Sequence, residues 1–87
     1  NLHDSFIVNC EVKNNDFYMV IENIISGNKN IIFKDYEIIL DDGSLNETRW
    51  LYEEVYKVDN CLEVHILVCG LDGLREMIIK CSEVVVE

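Results

Sequence analysis

Proline and alanine are both absent from this chain of 87 residues, glycine occurs only four times, and seven basic residues stand against seventeen acidic ones. Lack of alanine argues against a helical bundle, an architecture that draws on the strongest helix formers. Abundant Ile, Val and aromatic residues suit a pleated, half-buried surface instead. No apolar run approaches the roughly 18 residues that would span a bilayer, and Asn1-Leu2-His3-Asp4 is neither basic nor the apolar heart of a signal sequence. The chain is therefore expected to be soluble and cytoplasmic. The absence of an initiator Met leads to the expectation that Asn1 is not the native start, which leaves a removed leader open. Also missing are a nucleotide-binding loop, a paired metal-ligand motif and a recognisable catalytic triad, so no cofactor and no enzymatic activity are expected.

What is present is a net charge of −10 laid over segments in which apolar residues recur at every second position. Hydrophobic residues make up 49% of the chain and the acids are scattered among them, which describes a folded domain, 1–87, and not a disordered tail. So short a domain hides only roughly 60% of the surface of its unfolded chain, so every interior position counts. Four cysteines would permit disulfides in a secreted protein, yet nothing else argues for export and they are read as free thiols. Cys10 and Cys81 fall on the apolar parity of their segments, where cysteine behaves as a small hydrophobe.

Two hairpins dominate the pattern. Phe6, Val8, Cys10 and Val12 alternate before Asn14-Asn15, and Phe17, Met19 and Ile21 alternate after it. If Lys13 faces Asp16 as an ion pair, Val12 meets Phe17, Cys10 meets Met19 and Val8 meets Ile21. Near the C-terminus, an Asp72-Gly73 turn would set Val68 opposite Met77, Ile66 opposite Ile79 and Val64 opposite Cys81. A short helix over residues 72–83 competes there, because Leu74, Met77, Ile78 and Cys81 also follow a helical spacing and Asp72 could cap it. Val84-Val85-Val86 is strand-like either way. Between the hairpins, apolar parity switches at Lys34-Asp35, which suggests a bulge within residues 31–40. Trp50 to Val58 reads as a further strand, turned by Asp59-Asn60 into Leu62. The expected architecture is an all-β, six-stranded antiparallel meander forming a small barrel or sandwich.

Candidate sites are few. Cys61, His65 and Cys69 are zinc-type side chains, but four-residue spacing on a strand separates neighbours by about 13 Å, too far for one ion. His65, expected opposite Lys80, is read as a plain surface histidine. Asp41, Asp42 and Glu47 belong to a polar loop of hard oxygen donors whose spacing departs from a calcium-binding loop, so a solvated acidic turn is the plainer reading. Trp50, Tyr52, Glu53, Glu54 and Tyr56 form the best binding candidate: aromatics beside carboxylates are typical interface anchors if they face outward, and a core row if they face inward. A buried Glu54 would have a raised pKa. His3-Asp4-Ser5 cannot converge as a triad from consecutive positions. His3 and Asp4 are assigned a structural role, with Asp4 or Ser5 bonding backbone amides at the start of the first strand.

Leu2-His3-Asp4-Ser5, followed by Ile7 and a hairpin, resembles the opening of several small bacterial domains of unknown function, some of them immunity proteins of toxin systems. Trp50-Leu51-Tyr52-Glu53-Glu54-Val55-Tyr56 ahead of an apolar strand is similar too. The resemblance covers about a quarter of the chain and implies no catalytic residue. The charge excludes a phosphate-backbone partner, since the seven bases form no stripe, and it disfavours anionic membranes. It favours a cationic protein partner. The leading expectation is an acidic binding protein of the immunity type. A homodimer formed through sheet edges or the aromatic row is the alternative, and a small ligand-binding barrel or enzyme using Glu54, His65 or His3 ranks third.

Overall fold

The computed structural model describes residues 5–41, 48–71 and 73–87, with the side chains of Leu40 and Asp41 excepted. Eight strands occupy them: β1 (Phe6–Lys13), β2 (Asp16–Asn23), β3 (Gly27–Lys34), β4 (Glu37–Asp41), β5 (Thr48–Val58), β6 (Cys61–Gly70), β7 (Gly73–Cys81) and β8 (Glu83–Val86). All pairings are antiparallel, in the single order β4-β7-β6-β5-β1-β2-β3-β8. The sheet is all-β as its composition implies, but it is neither a sequential meander nor closed into a barrel.

Eight strands replace the expected six because two of the expected runs are each broken at a corner. Residues 31–40 contain the end of β3 and all but the last residue of β4, and these strands lie on opposite sides of the sheet order and are not paired with each other. Asp35 makes the break with a φ of 49°, a left-handed conformation that Asp tolerates better than most residues. The parity switch at Lys34-Asp35 is this corner, not a bulge. Ser82 divides β7 from β8 at a second corner, a bend between the two strands. Its N–H donates to the Lys34 carbonyl at 2.9 Å and its hydroxyl to Asp35 Oδ2 at 3.2 Å, so the two corners are bonded together. The register runs through them unchanged, with Lys34 opposite Glu83 and Glu37 opposite Lys80.

The first hairpin turns at Asn14-Asn15, with Asn14 at φ 57°, and pairs Val12 with Phe17 and Cys10 with Met19 as its alternation requires. Beyond that a bulge at Val8 makes Ile7, not Val8, the partner of Ile21. The expected ion pair across the turn is also replaced: Lys13 Nζ lies 3.2 Å from Glu11, and Asp16 takes Lys34 at 3.4 Å. In the C-terminal hairpin β7 is a strand, not a helix. Gly70 faces Gly73, which moves the register by two residues and sets Ile66 against Met77, Val64 against Ile79 and Leu62 against Cys81. An even shift keeps the same side chains inward, and so the error in register left the core assignment intact.

One face of the curled sheet holds the interior, where Ile7, Met19, Ile21, Phe33, Trp50, Ile66, Val68 and Ile79 are almost fully buried. Burying such an aliphatic or aromatic side chain contributes about 1.5–3 kcal/mol. Among the described residues β1 and β5 are joined by the strand pairs Phe6–Arg49 and Ile7–Thr48, with the Trp50 N–H donating to the Ser5 carbonyl at 2.7 Å. Ser5 does anchor the first strand, but through a side chain: its buried hydroxyl accepts from Asn23 Nδ2 at 2.8 Å, while Asn23 Oδ1 accepts the N–H groups of Ile25 and Ser26. His3 and Asp4 lie outside the described residues.

All four cysteines are free, with Cys81 buried and Cys10 packed against the core. Burial pushes the Cys10 thiol up to about 11. At pH 8 Cys10 is expected to react with iodoacetamide on the order of a hundredfold more slowly than a cysteine in a short peptide, and alkylation at the peptide rate would contradict its placement. Ile79→Ala is expected to cost about 2–5 kcal/mol in urea unfolding. Leu74→Ala, at an exposed position, should stay within about 0.5 kcal/mol.

Candidate functional site

A bulge at Leu51 decides which residues of β5 are available for binding. Trp50 faces Val68 of β6, but the next pair is Tyr52 with Leu67, so one extra residue reverses the parity of everything that follows. Trp50, Tyr52, Glu54 and Tyr56 therefore do not form one row. Trp50 points inward and is 2% exposed, whereas Tyr52, Glu54 and Tyr56 point outward and are exposed. Glu53 and Val55 take up the inward parity instead, opposite Ile66 and Val64. The buried indole needs an acceptor, and Glu53 supplies it: Trp50 Nε1 donates to Glu53 Oε1 at 2.9 Å.

On the outer face, β5 and β6 bring together a continuous polar and aromatic array. The Tyr56 hydroxyl donates to Glu54 Oε2 at 2.7 Å. Its ring packs edge-on against His65 with centroids 4.9 Å apart, and His65 Nε2 lies 2.8 Å from Glu63 Oε1. Two carboxylates thus flank an aromatic pair, and exposed Tyr52 extends the patch. The carboxylate beside it raises the Tyr56 phenol above its ordinary value, chiefly through the hydrogen bond to Glu54. Glu54 itself is exposed, not buried. The two-residue change of register also alters the surroundings of His65, which faces Glu54 and Ile78, while Lys80 faces Glu63 and Glu37.

The chemistry such a face offers is recognition. A guanidinium or ammonium group can sit over the tyrosine rings while pairing with Glu54 or Glu63, combining cation–π and charge-assisted contacts. Cys61, His65 and Cys69 are spread along the single strand β6, and among the described residues no group of three His, Cys, Asp or Glu side chains converges as a metal site. Asp42 and Glu47 lie outside the described residues, as does the side chain of Asp41.

A second feature has no signature in the sequence. Between the β3–β8 layer and the β5–β6 layer runs an apolar groove of about 150 Å³. Ile31, Phe33, Val84 and Val86 form one wall, and Trp50, Glu53, Val55, Leu62 and Val64 form the other. Strand character was legible in Val84-Val85-Val86, but only the corner at Ser82 brings those side chains opposite β5.

Because the Tyr56 phenol is raised in the folded state, the stabilisation it reports is full below the ordinary tyrosine pKa of about 10 and is lost as pH rises through the folded value. Ultraviolet difference titration should therefore find one tyrosine ionising late, and Glu54→Gln should return it toward the ordinary value. Four tyrosines titrating together in the parent protein would show that the hydrogen bond does not persist in solution.

No protein-family model, curated protein or solved structure matches this chain, so its functional reading rests on the chemistry of its own surface.

Proposed function

We propose that this chain is a non-enzymatic acidic binding domain that covers a cationic surface of a protein partner, in the manner of an immunity-type inhibitor of a toxin. The observation that carries this reading is the outward-facing array of exposed Glu54 and Tyr56 with half-buried His65 and Glu63 in a molecule of net charge −10. Two of the seven bases, Lys13 and Lys34, are engaged by the chain's own Glu11 and Asp16, which leaves the surrounding field strongly negative. Such a field accelerates capture of a basic partner, and the aromatic patch then supplies desolvated contact at short range. Inhibition follows from occlusion and requires no chemistry. Four free thiols support a reducing, cytoplasmic setting. No described helix is long and apolar enough to cross a membrane.

Homodimerisation is the second reading, favoured by the outer edges of β4 and β8, which pair with no other described strand. Mutual repulsion of two domains at −10 opposes it.

Affinity purification of the intact protein from its native cells, followed by mass spectrometry and stopped-flow measurement with the purified partner, tests the proposal. The partner is expected to be basic, and association should slow steeply between about 50 and 500 mM salt. Glu54→Lys combined with Glu63→Lys should lower the association rate by about tenfold or more without unfolding the sheet. A neutral or acidic partner, salt-independent association, or a doubled mass in place of a complex would each overturn it.

A further inference from the structure

We propose that the free edge of β8, together with the apolar groove beside it, binds an extended basic–apolar–polar–apolar–basic segment of the cationic partner by adding it as a strand. The proposal rests on the cationic-partner reading above and specifies how one segment of that partner is held.

Backbone pattern comes first. Glu87 and Asn30 exchange both of their backbone hydrogen bonds, at 2.9 and 2.8 Å. Antiparallel alternation then makes Val85 and Ile32 the next such pair, and it turns the N–H and C=O groups of Val84 and Val86 away from β3. Among the described residues no strand lies on that side of β8. The same two residues project their side chains into the groove, so one short strand offers both backbone pairing and an apolar floor. Val55 and Val86 form the mouth and are 56% and 54% exposed, an unusual state for valines on the inward face.

Charge selects the occupant. Glu83 and Glu87 are exposed and bracket β8, and Glu53 stands in the opposite wall. Lys57 is the one base on the inward-facing row of β5, and Lys34, opposite Glu83, is held by Asp16. A second copy of this chain is a poor fit. Antiparallel pairing of two β8 strands about Val85 would set Glu83 of one directly opposite Glu87 of the other, a destabilising arrangement of like charges. A strand of the form Lys-Val-Thr-Val-Lys places its lysines opposite those two glutamates and both valines in the groove, with its threonine facing outward.

Trp50 is the only tryptophan and lines the groove, so its emission reports occupancy directly. Titration of the full chain with a capped Lys-Val-Thr-Val-Lys peptide should change that emission saturably and slow hydrogen exchange at the Val84 and Val86 amides. A peptide with glutamate at both ends should bind about tenfold more weakly. Val86→Pro removes an N–H that faces the free edge and leaves the β3 ladder intact, as proline at an edge permits. It should weaken binding by about tenfold or more. Val55→Lys, at the mouth, gives an independent variant with the same expected loss should the proline variant fail to fold. Absence of a saturable change, or undiminished binding by a folded Val86→Pro or Val55→Lys variant, overturns the proposal. So does protection of Val84 and Val86 without peptide, in a monomer (another segment of this chain in the groove) or in a species of doubled mass (a second copy). Failure of the peptide alongside salt-sensitive capture of a basic partner would refute the groove but not the cationic-partner reading. A salt-indifferent partner would refute that reading while the peptide titration still judged the groove.

Discussion

Two-fold alternation along each strand is the constraint on which this molecule depends. A sheet of 87 residues has material for one interior, so each strand must deliver its apolar side chains to the same face. Where the chain carries one residue too many, a bulge absorbs it, at Val8 in β1, Ile39 in β4 and Leu51 in β5. In β1 and β5 the bulge resets the parity and thereby exchanges which residues meet solvent. The one at Leu51 has the largest functional effect. It sends the indole of Trp50 inward and leaves Tyr52, Glu54 and Tyr56 outside, so a row that could have been core or surface becomes both.

The corners are the second determinant. Asp16 organises one of them, accepting the Asp35 N–H at 3.1 Å and contacting Lys34 at 3.4 Å, while Ser82 ties the other to the Lys34 carbonyl and the Asp35 carboxylate. These contacts let the paired ladder bend without losing register. Bending sets Val84 and Val86 across from Trp50 and Val55, which creates a groove that no single strand contains. The outward array and the groove are thus products of two different irregularities, one an inserted residue and the other a corner between strands.

Much of this was legible in the sequence, for reasons that are local. Asn14-Asn15 and Asp59-Asn60 are residues that tolerate left-handed backbone, and Asn14 and Asp59 adopt φ values of 57° and 56° at the turns expected for them. Alternation identified most of the interior, including Met19, Ile21, Val64, Ile66 and Ile79. The C-terminal register was ambiguous because Gly70, Asp72 and Gly73 accommodate two turn frames that differ by two residues, and alternation scores both equally. Bulges leave no mark in composition, so Leu51 and Val8 gave no warning. Pairings between distant segments, β1 with β5, β3 with β8 and β4 with β7, are set by the corners and not by any short pattern. The candidate face was therefore half visible: its tyrosines and Glu54 were found, while Glu53 and Trp50 proved to belong to the interior, and the groove was beyond reach.

The seam joining β1 to β5 bears on how the chain assembles. Hairpins closed by two-residue turns zip on the microsecond scale, because little chain must be gathered before the first bonds form. Residues 6 and 7 pair with 48 and 49 across a stretch of chain that contains three intervening strands. Loop-closure entropy accordingly opposes this junction more than it opposes either tight hairpin. The folded molecule is thus two locally formed ladders welded together by contacts between distant segments, and its cohesion depends on those welds.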